Sequence, residues 1–166
     1  MTRGLGSFSP MSDSHDYEWY SEIVPRLWQG GTPDEEMIDR SKFFSRAVDL
    51  HAFTAVVTLD SRSNPVGWAV PELRYGFSDG PVVREELPRI LDVADWAFEK
   101  WQKGGKVLIR CAAGANRSGL ITAIVLMKDG FEPKEAIEII RSKRSFALSN
   151  SDFVSLIGEI GGVDLT

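Results

Sequence analysis

The stretch from Lys106 to Met127 leaves this chain few choices of fold. Lys106-Val-Leu-Ile-Arg110 is short, apolar and β-prone, which predicts a buried strand. Arg117 to Met127 is too long and too uniformly apolar for a strand, and Gly130 closes it, which predicts a buried helix. Between them lies a loop of mostly alanine and glycine. A strand that passes through such a loop straight into a helix is the building unit of α/β proteins. Two more segments agree with it. Ala55-Val-Val-Thr-Leu59 reads as a strand buried on both faces, and Glu85 to Lys103 carries Leu87, Ile90, Leu91, Ala94, Phe98 and Trp101 near helical spacing before Gly104-Gly105 ends it. The expected fold is α/β, with a central, mostly parallel, twisted sheet flanked by helices.

The remaining segments fill in that plan. Glu18 to Ile23 and Arg26 to Gln29 are expected as short strands at the sheet edge, stopped by Gly30-Gly31. Thr32 and Pro33 are expected to open a helix, since threonine caps and proline suits the first helical position. Ser61 to Pro71 reads as a surface loop carrying an exposed Trp68, and Glu72 to Phe77 as a strand leading into the turn Ser78-Asp79-Gly80-Pro81. Pro133 starts a helix ending near Arg144, where Arg141, Lys143 and Arg144 are expected as a solvated helix end. Ser149 is expected to cap a last helix with Phe153, Leu156, Ile157 and Ile160 on one side. Residues 1–16, rich in Ser and Gly, are expected as a flexible tail, and 17–166 as one domain.

Composition narrows the function. A net charge of −5 argues against binding nucleic acid or anionic membrane. One cysteine cannot make an internal disulfide, and the expected setting is the reducing cytoplasm. His15 and His51 offer no metal-ligand spacing with it, so no metal or cofactor is expected.

The chemistry concentrates in Arg110-Cys-Ala-Ala-Gly-Ala-Asn-Arg-Ser-Gly119. Small residues at Ala112, Ala113, Gly114 and Ala115 let backbone amides converge, and the helix that follows adds unsatisfied N–H groups and a positive dipole end. Together with Asn116 and Arg117 they are the candidate phosphate-binding set. Arg117 offers a planar fork for two phosphate oxygens, and the same positive field favours Cys111 as thiolate, a nucleophile beside the anion site. Asn116 is also a candidate loop stabiliser.

These residues resemble the signature of the cysteine-dependent protein tyrosine phosphatases, in which Cys is followed by five residues, then Arg and Ser or Thr. Cys111, Gly114, Arg117 and Ser118 match it. The resemblance is closest to the compact dual-specificity subgroup and runs from Leu27-Trp-Gln-Gly-Gly31 to Ser149-Asn150-Ser-Asp-Phe153, with Asn150 taken as structural. It implies a single-domain phosphatase fold and a two-step reaction. Cys111 would take the phosphoryl group to form a phosphocysteine, which water would then hydrolyse, with Ser118 aiding departure of the sulfur. At position 110 the family usually has a histidine that orients the loop and bonds the thiolate. Arg110 either donates similar bonds or turns away into an ion pair.

An alcohol leaving group needs a proton, and two aspartates follow predicted strands: Asp79, favoured, and Asp60. The implied substrate is a phosphorylated protein, with phosphotyrosine first and phosphoserine or phosphothreonine beside it. Relatives that use the same loop on RNA, inositol or lipid phosphates keep those classes open. A rhodanese-like sulfurtransferase and a catalytically silent phosphate-binding adaptor are the rival readings.

Overall fold

The computed structural model describes residues 19–42 and 46–166. The tail expected at 1–16, and His15 within it, lie outside them. Five strands, β1 (Tyr20–Val24), β2 (Leu27–Gly30), β3 (Ala55–Thr58), β4 (Glu72–Arg74) and β5 (Val107–Arg110), form one sheet in the order β1-β2-β5-β3-β4. Only β1 is antiparallel to its neighbour, and the other three pairings are parallel. The α/β class and mostly parallel sheet are as expected.

Among the described residues the α-helices with set bounds are α1 (Leu87–Gln102), α2 (Arg117–Lys128), α3 (Pro133–Lys143) and α4 (Ser151–Gly161). Strand alternation decides where they pack. Val57, Ile109 and Cys111 face one core together with Ile90, Leu120, Ile140 and Phe153 from the four helices. Val56 and Leu108, one residue out of phase, face a smaller core closed by Val48, Leu50, Phe53, Val66 and Val70 from loops. Among the described residues the helices therefore gather on one face of the sheet, and loops cover the other. Helix α2 runs through the larger core, with Ser118 to Leu126 all buried, which is why its sequence shows no polar stripe.

Three local expectations are corrected. Thr32 and Pro33 open only a single 3-10 turn, Asp34–Glu36. The Thr32 hydroxyl is 2.9 Å from the Cys111 carbonyl and 2.8 Å from the Ser63 hydroxyl, so it is not free to cap. The N-cap of α4 is Asn150, not Ser149: its side chain accepts from the amides of Asp152 and Phe153. The longer strand expected from Glu72 to Phe77 ends at Arg74, and Trp68 stands fully exposed in its loop. Glycine 31, Asp60 and Cys111 all follow the carboxyl ends of parallel strands, where α/β sheets hold their ligands.

Candidate active site

The loop from Cys111 to Asn116 links β5 to α2, and the carbonyls of Cys111, Ala112, Gly114 and Ala115 are engaged on its outside. The Cys111 carbonyl accepts from the Thr32 hydroxyl and that of Ala112 from the Thr32 amide. Gln29 Nε2 and Arg144 Nε donate to the Gly114 carbonyl, at 3.1 and 2.8 Å. The Ala115 carbonyl accepts from the Leu148 amide and, at 3.4 Å, from Gln29. In a trans peptide the N–H points opposite to the C=O, so these bonds turn the following amides inward. Among the described residues none of the amides from Ala112 to Arg117 has a protein acceptor. The loop is a ring of donors.

Glycines let that ring form. Gly114 adopts φ +69°, and a Cβ there would lie 2.5 Å from the carbonyl carbon of Gly30 and the nitrogen of Gly31. A Cβ on Gly31 would in turn meet the Ala112 oxygen at 2.7 Å. The Gly30-Gly31 pair is thus the seat of the loop, which accounts for its place in the resemblance.

The reactive side chains converge on the same ring. Cys111 is 2% exposed at its floor, with Sγ 3.3 Å from the Ser118 hydroxyl. As a thiolate the sulfur would accept from that hydroxyl. Arg117 is held by its far end: Nη2 lies 3.0 Å from Asp60 Oδ2, and Nη1 reaches the Phe77 carbonyl at 3.2 Å. Its Nε is buried with no partner among the described residues, a donor left for a ligand. The first turn of α2 is also open, because Asn116 at the N-cap makes no capping bond with its side chain.

That side chain works outward. Asn116 Nδ2 donates to Asp79 Oδ2 at 3.0 Å, while its oxygen accepts from the Asn150 amide and the Ser149 hydroxyl. Asn150 Nδ2 donates to the other oxygen of Asp79 at 2.8 Å. The exposed carboxyl of Asp79 is thereby held at the rim of the loop by two amides. Asp60 is different. Hydrogen bonds from Arg62 hold its carboxyl down to about 2, with the charge of Arg117 adding to the effect against its burial. It is the anchor of Arg117.

Arg110 turns away from the site. One residue before Cys111, it points to the opposite face of the sheet, fully buried, with Nε on the Thr58 hydroxyl at 2.9 Å and Nη2 on the Asn64 carbonyl at 2.6 Å. Glu72 lies 3.3 Å from it and Glu36 at 3.8 Å. Of the two options for this position the ion pair is the one realised. The cation beneath the loop comes instead from Arg144, 3% exposed, whose Nε donates to the Gly114 carbonyl. The expected solvated cluster is corrected at that residue. Its guanidinium reaches back from the end of α3 to Gly114, Ser21 and Trp19. Burial depresses the pKa of both arginines. No spacing rule marks Arg144 or Thr32 in the sequence, because their partners lie far along the chain; Gln29 was visible only through the resemblance.

Known proteins resemble this chain in sequence and in fold. Residues 70–161 match the family model described as dual specificity phosphatase, catalytic domain. Across 76 residues the chain is 37% identical to the "Probable protein tyrosine phosphatase type IVA B" of Dictyostelium discoideum, covering 45% of this chain and 47% of that one. Over 54 residues it is 44% identical to human dual specificity protein phosphatase 5, covering 32% of this chain and 14% of that protein. The chain thus spans about half, or far less, of these relatives' length. The crystal structure of human DUSP28 superposes with a TM-score of 0.69 at 21% identity, over 86% of this chain and 93% of the other, a likeness of fold. With the matched segment running from before Asp79 through the whole donor ring to α4, this chain belongs to the dual specificity phosphatase catalytic domain family.

Proposed function

We propose that this chain is a phosphomonoester hydrolase that attacks phosphorylated proteins through Cys111, with phosphotyrosine as the first substrate and phosphoserine or phosphothreonine beside it. One observation carries the reading: a ring of amides without protein acceptors among the described residues surrounds the only cysteine, at the end of a central parallel strand. An ester phosphate in that ring would place phosphorus over Sγ, its oxygens on the amides and on the free Nε of Arg117.

In the first step Sγ forms the S–P bond as the ester O–P bond breaks, and Asp79 passes a proton to the leaving oxygen. To do so the carboxyl carries its proton in place of one of the two amide bonds. In the second step water attacks phosphorus, the S–P bond breaks, and the Ser118 hydroxyl donates to the departing thiolate. Arg117, fixed by Asp60, offers its Nε to an equatorial oxygen throughout. Among the described residues no cluster of metal-ligating side chains is present, and none of these steps calls on one. A lone reactive thiol suits the reducing cytoplasm, where we place the reaction.

The test is a hydrolysis panel of phosphopeptides, inositol phosphates and 5′-phosphorylated RNA, with wild type beside Cys111→Ser. Wild type should turn over phosphotyrosine peptides, and the variant should fall below about a thousandth of that rate while still binding them. Turnover that survives the substitution rejects the nucleophile. Sulfur transfer from thiosulfate without ester hydrolysis would favour the sulfurtransferase, which has no use for an acid at Asp79.

A further inference from the structure

Beside the donor ring the surface opens into a cleft of about 570 Å³ that the reaction above does not use. Its inner wall is the backbone at Ala112 and Ala113, so whatever fills it lies next to the scissile phosphate. Trp19, Met37 and Ile38 give it apolar walls. Two guanidiniums, from Arg40 and Arg62, face it, with Asp34 as the one acid in the lining among the described residues.

The charge there runs against that of the whole chain, which is acidic. Arg62 forks onto both oxygens of Asp60, at 3.1 and 2.9 Å, but the same carboxylate already holds Arg117 at 3.0 Å. One carboxylate shared by two guanidiniums leaves the edge of the ring positive. Arg40 adds an exposed cation with no ion pair among the described residues. Among the described residues the lining thus sets two guanidiniums against one carboxylate, around an opening whose volume lies within the range of about 300–1,000 Å³ common for ligand pockets. A phosphate ester occupies only the ring, and the cleft remains for a neighbouring group.

We propose that this cleft is a specificity subsite for an anionic side chain, a carboxylate or a second phosphoryl group, on a residue flanking the phosphorylated one. Arg40 meets the anion, Arg62 is the second donor, and Trp19, Met37 and Ile38 pack its methylene stem. The proposal rests on the phosphatase reading, because it takes the ring as the place of the scissile phosphate.

The probes are phosphotyrosine peptides in which a single Glu, Gln or phosphoserine is scanned through the flanking positions. Two readouts are taken: kcat/KM of wild type and Arg40→Gln, and equilibrium binding of the same peptides to Cys111→Ser with and without Arg40→Gln. At one or two positions Glu should exceed Gln by about three- to ten-fold, as expected for a partly exposed charge contact. The phosphoserine arm decides which anion is preferred. Added salt should shrink the difference. Arg40→Gln should reduce it below about two-fold, while turnover of p-nitrophenyl phosphate, too small to reach the cleft, and thermal stability stay unchanged. Equal values for Glu and Gln at every position overturn the subsite, as does a preference that survives Arg40→Gln. If no phosphoester is hydrolysed but binding still depends on the flanking anion and on Arg40, the subsite stands and the hydrolase reading fails. Loss of both removes both.

Discussion

A group that protonates a leaving oxygen must still hold its proton when the ester bond breaks. Asp60, held at about 2 by Arg62 and Arg117, is ionised at neutral pH and cannot serve. Asp79 stands at the rim on two side-chain amides, and no cation pairs with it among the described residues. Asp79→Asn should therefore slow alkyl phosphates by roughly a hundred-fold and activated aryl phosphates far less, since only a poor leaving group needs the proton. Parallel rate measurements on the two ester classes check this, and equal losses on both would remove Asp79 as the acid. The two aspartates looked alike in sequence, each following a strand. Position separated them weakly; partners separate them well. Arg110 is a harder case for sequence reading. Its offset of one residue from Cys111 sends it through the sheet, but which acids waited there depended on loops from Glu36 and Glu72 that no local pattern connects.

At the scale of elements the strands and helices were largely legible, because apolar period and glycine or proline punctuation fixed β3, β5, α1, α2 and α3 within a few residues. What escaped was the work of residues between elements. Thr32 and Pro33 have the pattern of a helix start, yet the hydroxyl that would cap is drawn to the Cys111 carbonyl and the chain makes one 3-10 turn. Ser149 and Asn150 are both good caps, and the choice of Asn150 follows from its second task of holding Asp79. That double duty gives a separable prediction. Asn150→Ala should cost about 1 kcal/mol of stability from the lost cap. It should also lower turnover of alkyl phosphates more than of aryl phosphates, because the acid is left on Asn116 alone. Chemical denaturation together with the two-ester comparison tests it, and a stability loss with an unchanged ester ratio would leave Asn150 as a cap only.

Across the whole molecule, the buried charges tie the site to the sheet. Arg110 joins β5 to Thr58 on β3, Glu72 on β4 and the loop carbonyl of Asn64. Arg110→His, which restores the residue usual in the family, should therefore harm the protein. A histidine cannot span those partners, and Glu72 would lose its buried cation at a cost of roughly 3 kcal/mol. Urea denaturation should show that loss with no gain in turnover; equal stability with faster turnover would refute the assignment. Asp60 sets an acid limit. Its folded value of about 2 lies below the ordinary 3.8, so the stability it contributes is fully present above about pH 4 and is lost as pH falls through about 2. The difference in unfolding free energy between wild type and Asp60→Asn should accordingly be flat near neutrality, about 2 kcal/mol, and shrink below pH 4. A difference that does not change with pH would mean that charge is not what holds Asp60.

The donor ring separates two properties that usually travel together in proteins, rigidity and protection from solvent deuterium. Its carbonyls are pinned from β2, from α3, from Thr32 and from Leu148, so the backbone has little freedom. Its amides have no protein acceptor among the described residues, so no hydrogen bond within them holds those protons back from exchange, whereas a bound anion would. Deuterium uptake at residues 112–117 thus reports occupancy of the pocket, not motion of the loop.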